Sequence, residues 1–572
     1  MFPQVDADGT RFQDSVRRRR ILFVYPEFPR TYWGLQHGLP IAGRRATMPP
    51  LGLITVAALL PRAWEIRLID MNIEPLADDD LLWADAVLIG GMLIQASSMR
   101  DVVARARALG RRTVVGGPAP STAPHEFPEA DAVFGGEAEG RVAELIALIE
   151  GEGVAPVEKG CRSEGQAIVP LRKEARPDVT TSPVPRFDLL RTDAYTTMSI
   201  QYSRGCPYRC EFCDIIEIFG RVPRLKTPAQ VLAELEALCA LGWRGSVFVV
   251  DDNFIGNVKE VRKLLPELRR WQETRDWPLD FYTEASVNLA GHRGLVEQMA
   301  ACGFTGVFLG IETPSPAALK ETKKTQNLNL DLGQVVDDIT RTGLEVMAGF
   351  IIGFDSDDAS AFDAQRVFLQ DAPIPLAMVG LLTALPDTAL WRRLAEEGRL
   401  RERGTSETFG RPNFSTVMDE ETLLEGYATL LADLYSQDAY LRRCRRYLER
   451  APTPRRRPRL RPGSFRILAR TIWRLGVKSP RRRLFWSLVA QALRCSPRHV
   501  PWAVEKAIQG EHFLRYTAED VLPRLRQALD EVRADRALAP GLPPNASIHV
   551  PDRQRAPRPV AASATAGGRS AS

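Results

Sequence analysis

Three cysteines within eight residues, Cys206-Pro-Tyr-Arg-Cys210-Glu-Phe-Cys213, constrain this chain more than any other feature. They offer three thiolates, one fewer than a complete protein-ligated iron–sulfur cubane needs, so one iron would stay open to a ligand that is not protein. A structural zinc site is the competing reading, but it wants four closed ligands, usually in two pairs, and no neighbouring His or Cys provides the fourth. The other five cysteines, Cys161, Cys239, Cys302, Cys444 and Cys495, are solitary and suit small buried apolar positions better than a second centre. Eight cysteines in 572 residues are too few and too scattered for a disulfide framework. A reducing compartment, the cytoplasm, is therefore expected.

A chain of this length with 44% hydrophobic residues can bury more than one core. Residues 1–20 mix Asp6, Asp8 and Asp14 with an arginine run and read as a flexible start, not a signal peptide. No run of eighteen apolar residues occurs, so no spanning helix is expected. Over 21–150, strand-like runs at Ile21–Tyr25, Glu65–Asp70, Ala86–Gly90, Thr113–Gly117 and Ala132–Phe134 alternate with helical patterns, predicting a doubly wound, flavodoxin-like parallel sheet. Ligands in such folds sit beyond the strand carboxyl ends, where Gly90, Gly91, Gly116, Gly117 and Gly135-Gly136-Glu137 fall. Those glycines suit either close approach to a bulky ligand or tight strand-to-helix turns.

Residues 151–195, with Pro170, Pro177, Pro183 and Pro185, read as a linker. A second alternation over 196–400 has six strand–helix units and predicts a partial (β/α)6 barrel whose active site lies at the strand carboxyl ends. The cysteine triplet directly follows its first strand, at that face. Residues 401–534 read as helical, interrupted by a proline- and arginine-rich stretch at Pro452–Pro462, and 535–572 as a disordered tail.

The C-x3-C-x2-C triplet is the signature of the radical S-adenosylmethionine (SAM) superfamily, which the chain resembles from about Tyr195 to Leu400. The resemblance implies a 4Fe-4S cluster on Cys206, Cys210 and Cys213 whose open iron chelates SAM, and reductive cleavage of SAM to a 5′-deoxyadenosyl radical. It places Phe212 near the adenine. The segment Val250-Asp251-Asp252-Asn253-Phe254 stands where the family usually has Gly-Gly-Glu, which receives the SAM amine. Asp251 or Asp252 would take that role here. Glu284, Gly310-Ile-Glu312-Thr-Pro314 and Gly349-Phe-Ile-Ile-Gly353 match further positions beside SAM. Each alone is equally well an ordinary strand-end carboxylate or turn glycine, and their joint order behind the triplet carries the case.

The first domain resembles the cobalamin-binding domain ahead of class B radical SAM methyltransferases, on Met48-Pro-Pro-Leu-Gly52, Ile69-Asp70, Val115-Gly-Gly-Pro118 and Gly136-Glu137. It lacks the Asp-x-His-x-x-Gly motif that supplies a lower ligand to cobalt, and its two histidines, His37 and His125, read as surface or structural. The stretches Glu211-Phe-Cys-Asp-Ile215, Gly220-Arg-Val-Pro-Arg224, Leu225-Lys-Thr-Pro228 and Val250–Phe254 resemble the bacterial hopanoid C-2 methylases and their uncharacterised relatives. That likeness implies a cobalamin-dependent C-methyltransferase acting on an unactivated carbon of a hopanoid-like lipid or natural product, with an external electron donor. A non-methylating cyclisation or rearrangement by the same cofactors is the alternative within enzymes. A tRNA methylthiotransferase would need cysteines in the first domain, and residues 1–160 have none.

Residues 441–510 carry twenty Lys or Arg against Glu449 and Glu505, a local charge of +18 in a chain of net +5. Residues 465–490 interleave these cations with Phe465, Trp473 and Trp486. Peripheral contact with an anionic membrane, packing on the acidic body, and nucleic-acid binding by a metal-stabilised module are the three readings, the last the least favoured.

Overall fold

Ile21, Leu22, Phe23 and Val24 are all buried, as a strand covered on both faces requires. In the computed structural model, which describes residues 18–152, 166–401, 409–454 and 464–538, they belong to β1 (Arg20–Tyr25). Five further strands join it: β2 (Glu65–Asp70), β3 (Ala86–Gly90), β4 (Arg112–Gly116), β5 (Ala132–Phe134) and β6 (Ala167–Val169). The order is β2-β1-β3-β4-β5-β6, every pair parallel. This is the flavodoxin-like winding, in which the chain reverses direction between β1 and β3 and leaves a crevice at the strand carboxyl ends. Alternate side chains feed two apolar layers. Leu22 and Val24 pack with Met99, Val102 and Ala106 of the helix Ala96–Ala108. Ile21 and Phe23 pack with Ala57, Leu145 and Leu148 on the other face.

The expected linker contributes β6. Three residues between Gln166 and Pro170 are too short to show a period, and the strand is fixed from outside by the Gln166 amide, which donates to the carbonyls of Phe127 (2.7 Å) and Ala130 (2.8 Å).

The second sheet runs in sequence order through β7 (Thr197–Ile200), β10 (Ser246–Val249), β11 (Asp280–Ala285), β12 (Phe304–Glu312), β13 (Glu345–Ile352) and β14 (Ala377–Leu381), all parallel. It is the partial six-unit barrel. Its connecting helices start on side-chain caps, Thr227 for Pro228–Ala240, Asn257 for Val258–Thr274 and Asp331 for Leu332–Thr342. A small antiparallel pair, β8 (Ser203–Arg204) and β9 (Arg224–Leu225), brackets the cysteine loop.

β14 is an edge, and the carboxyl-terminal helices cover it. From the helix Glu420–Leu434 the Tyr427 hydroxyl donates to the Val379 carbonyl (2.8 Å), and Tyr435 caps the Ala377 carbonyl. Some of the basic charge is spent on the acidic body, in Arg450 with Asp337 and Lys506 with Glu345, each 2.6 Å. Among the described residues no helix is long and apolar enough to cross a membrane. Residues 1–17, 153–165 with Cys161, 402–408, 455–463 and 539–572 lie outside the described residues, and most of the expected flexible start, proline-arginine stretch and disordered tail falls there; Arg20 already belongs to β1, and the last helix, Leu522–Leu538, runs four residues into the expected tail.

Candidate functional site

The cysteine loop leaves β8 through Gly205, whose φ of +97° and whose missing Cβ, 2.8 Å from the Gly220 carbonyl, make glycine necessary there. The Cys206 N–H donates to the same carbonyl (3.1 Å), and Glu211 is held by the Thr322 carbonyl (2.9 Å) and by Arg393 (2.9 Å). Cys210 is buried and Cys206 and Cys213 are partly so. Burial pushes the Cys206 and Cys213 thiols up. Two amides nonetheless aim at sulfur. Asn253 Nδ2 lies 3.8 Å from Cys206 Sγ and Gln326 Nε2 3.6 Å from Cys210 Sγ. Lys324 adds a buried cation. Burial alone would lower its pKa, but the Glu312 carboxylate at 2.6 Å and the Cys210 and Cys213 thiolates hold it raised.

Thiols pressed toward neutrality by burial, yet supplied with N–H donors and a cation, fit thiolates that become ligands of an iron–sulfur cluster. Gln326 Oε1, buried beside them, has no partner among the described residues. Among those residues no three His, Cys, Asp or Glu side chains could hold a single metal ion.

The strand-end carboxylates differ in what they have left to offer. Asp251 accepts from the Tyr202 N–H (2.7 Å), the Ser203 N–H (2.9 Å) and the Ser203 hydroxyl (2.7 Å), so it is spent on turning the chain from β7 into the loop. Asp252 takes only a long bond from the Gly205 N–H (3.3 Å), and burial, with the neighbouring Asp251 and Asp214, pushes it up to about 7. Glu284, at the end of β11, is pushed up to about 8 by burial and then by Asp252 and Asp251. Partly buried carboxylates crowded in this way are relieved by a bound ammonium. Asn253 is a positioning residue, its Oδ1 taken by the Ser286 N–H and hydroxyl (3.2 Å each) and its amide turned to Cys206.

Glu312, at φ +65° after an irregularity in the β12–β13 register, is committed to Lys324. Lys324 also lies 5.9 Å over the Phe212 ring. Gly353 (φ +100°) is fixed by its N–H to Asp357 (2.9 Å), and a Cβ at Gly349 would come within 2.9 Å of Phe308.

In the first domain the glycines explain one another. Gly90 pairs with Gly116 across the sheet, and a Cβ at Gly117 (φ +94°) would meet the Gly91 backbone at 3.2 Å. They let the ends of β3 and β4 close together, and the next residues, Met92, Leu93, Ile94 and Pro118, form the wall. Glu137 does not face that wall freely. Its carboxylate binds Arg204 (2.6 Å) and Arg224 (2.8 Å), the paired arginines of β8 and β9, and Glu139 binds Arg204 as well (2.9 Å). These buried pairs fasten the cysteine loop's bracket to the first domain.

Both sets of strand ends open on one chamber of about 2490 Å³. From the first domain it is lined by Phe28, Met92 and Pro118, and near the cysteine loop by Asp214, Glu284 and Leu385. It continues into the barrel lumen, where Phe248, Tyr282, Phe308, Met347 and Met378 project inward, Phe248 and Tyr282 stacked at 4.7 Å. A strap between β1 and the helix Leu51–Leu59 reaches across. Tyr32 is locked between Tyr435 (4.8 Å) and Phe513 (5.2 Å), and Trp33, 45% exposed and part of the chamber lining, lies edge-on to Phe308 (5.1 Å). His37 packs against His512 and neither it nor the exposed His125 lines the chamber. The strap, Lys324 and Gln326 were not singled out by the sequence. An adjacent Tyr-Trp in a proline-flanked loop was the available signal for the first, and two lysines in a row gave none for the others.

Fold and loop together define a radical SAM enzyme with an amino-terminal cobalamin-binding domain. The Radical SAM superfamily matches residues 200–363, the B12 binding domain 40–146, and a domain of unknown function (DUF4070) 388–522. An uncharacterized methyltransferase of Synechocystis sp. is 40% identical over 535 residues, 92% of this chain and 98% of that one. The hopanoid C-2 methylase of Rhodopseudomonas palustris is 36% identical over 484 residues, covering 83% and 89%. The chain belongs to this family of cobalamin-dependent radical SAM methyltransferases. Its cofactors are the family's: a 4Fe-4S cluster, SAM and cobalamin. The fold is shared with the cobalamin-dependent SAM radical enzyme OxsB (TM-score 0.55, 15% identity, 90% of this chain and 84% of that one). It is shared also with the methyltransferase TsrM from Kitasatospora setae (TM-score 0.53, 19% identity, 68% and 80%).

Proposed function

We propose that this enzyme methylates an unactivated carbon of a rigid, largely apolar polycycle of the hopanoid kind. The observation that carries the reading is the single chamber reached from both cofactor-bearing faces and walled by aromatic and methionine side chains. When bound, the cluster and SAM supply a 5′-deoxyadenosyl radical able to take hydrogen from such a carbon, and cobalamin supplies the methyl group. In this reading Cys206, Cys210 and Cys213 hold the cluster. Asp252 and Glu284, whose carboxylates are not consumed by the fold, receive the SAM ammonium, while Phe212 and Gly353 border its adenosine. Gly90, Gly91, Gly116 and Gly117 shape the cobalamin crevice, and Glu137 secures it through Arg204 and Arg224.

The lumen's own polar groups are largely engaged. Glu345 is taken by Lys506 (2.6 Å) and the Trp502 indole N–H (2.6 Å), so the wall favours a substrate held by shape and ring contacts. An external electron donor and peripheral contact with the membrane that stores such a lipid belong to the same reading.

The test is anaerobic turnover of reconstituted protein with a triterpenoid extract. S-adenosylhomocysteine and 5′-deoxyadenosine appearing together, with a lipid one methyl group heavier, support the reading. The deoxynucleoside alone, with an unmethylated product, points to rearrangement chemistry instead.

A further inference from the structure

Between Ser464 and Val500 the chain has no Asp or Glu. The helix Ser464–Thr471, the π-helical turn Ile472–Lys478 and the helix Arg482–Cys495 pack on the body through Leu475, Leu484, Phe485, Leu488 and Ala492. The opposite side is apolar too. Phe465 is 80% exposed, Trp473 54%, Leu493 52%, Val477 50%, Trp486 47% and Leu468 39%. These are six of the sixteen large hydrophobic side chains exposed among the described residues, gathered in one short stretch. Trp473 and Val477 stand one turn apart, and Arg482, Trp486 and Leu493 follow one face of their helix. The two pieces adjoin, since the Trp486 indole donates to the Gly476 carbonyl (2.9 Å) and Lys478 sits 5.1 Å over Trp473. Arg466, Arg474, Arg482, Arg483 and Arg494 make no ion pair among the described residues, unlike Arg481, which is held by Glu511 at 2.7 Å.

We propose that this face docks the enzyme on an anionic bilayer, rings inserted and guanidinium groups among the headgroups. Charge complementarity selects that occupant. A second copy of the face would set like charges against each other. A polyanion such as RNA would satisfy the arginines but leave Leu468, Val477 and Leu493 in water. The position also suits delivery, which rests on the lipid reading above. Ile467, between Phe465 and Leu468, lines the chamber, and Arg470 reaches the Pro40 carbonyl (3.4 Å) beside Leu39 and Ala42, which line it too. An apolar molecule leaving the bilayer here meets the chamber wall directly.

The test uses the full-length holoenzyme and sedimentation with vesicles of phosphatidylcholine, alone or with phosphatidylglycerol at about two to one. Binding should be about tenfold tighter to the anionic vesicles and weaken in high salt, with a blue-shifted tryptophan emission. The Trp473→Ala/Trp486→Ala and Arg482→Glu/Arg483→Glu variants should each lose about tenfold. Cleavage of SAM by the reduced variants should stay at the wild-type rate, which separates a failed docking face from a misfolded protein or a failed methylation reading. Equal binding to both vesicles, variants that bind as the wild type does, or an oligonucleotide that displaces the protein from vesicles would overturn the proposal.

Discussion

Replacing Glu139 by Gln removes a charge from the junction that holds the two cofactor-bearing domains together. Its carboxylate is 4% exposed and bonds Arg204, itself 11% exposed, at 2.9 Å, with the Ser182 hydroxyl alongside. Burial would raise its pKa, but the Arg204 guanidinium overcomes burial and holds it at about 2, against an ordinary 4.5. At 1.36 kcal/mol per pH unit, that gap corresponds to about 3 kcal/mol at pH 7. Removing one partner of a buried pair costs about 3–5 kcal/mol in general. Because Glu137 still faces Arg204, the lower figure applies here.

The folded-state pKa is depressed, so this stability is present above pH 4.5 and is lost as pH falls toward 2. Anaerobic denaturant titration at pH 7, following the first unfolding transition, should show E139Q destabilised by about 3 kcal/mol. The difference should narrow below pH about 4.5. A loss under about 1 kcal/mol at pH 7, or a difference independent of pH, would refute the reasoning.

Glu284 should show the opposite sign. Its carboxyl is raised to about 8, so the stability of the ligand-free protein is full below the ordinary carboxyl range and falls as pH rises through 8, while E284Q is flatter. Identical pH–stability curves would rule out the buried carboxylate cluster as their cause. Lys324→Met, in a Glu312→Gln background that removes the uncompensated partner, should make the bound cluster harder to reduce, because a buried cation near Cys210 and Cys213 favours the added electron. An unchanged or higher potential, measured by spectroelectrochemistry, contradicts that role. Trp33→Ala should raise the KM for the lipid about tenfold, roughly 1.4 kcal/mol, while SAM cleavage without substrate keeps its rate. A fall in cleavage with KM unchanged would place Trp33 outside the substrate wall.

The two parallel sheets were legible because their strands read as short, mostly apolar runs closed by glycine or aspartate, as at Ala86–Gly90, buried throughout, and Ser246–Val249, whose alternate residues are buried. β6 was not, since three residues carry no period and its position depends on Gln166 contacts far away in sequence. The cysteine triplet announces itself by local spacing. The division of labour between Asp251 and Asp252 does not, because it is decided by which carboxylate meets the Tyr202 and Ser203 amides from another strand. Glu137 likewise reads as a strand-end ligand until its arginine partners, 67 and 87 residues on, are brought beside it. The strap carrying Trp33 has neither helical nor strand periodicity, and its place in the lumen follows from Tyr32 packing on Tyr435 and Phe513, 403 and 481 residues on in sequence.

On the proposed reading, Cys206, Cys210 and Cys213 present an open-cornered cluster to SAM beside the chamber shared with the cobalamin domain. Protein reconstituted without oxygen, reduced and given SAM should release 5′-deoxyadenosine, and Cys206→Ser, Cys210→Ser or Cys213→Ser should each abolish both the release and the bound iron and sulfide. Release that survives any one of these substitutions, or wild-type protein that binds iron and sulfide yet leaves SAM intact, would contradict it.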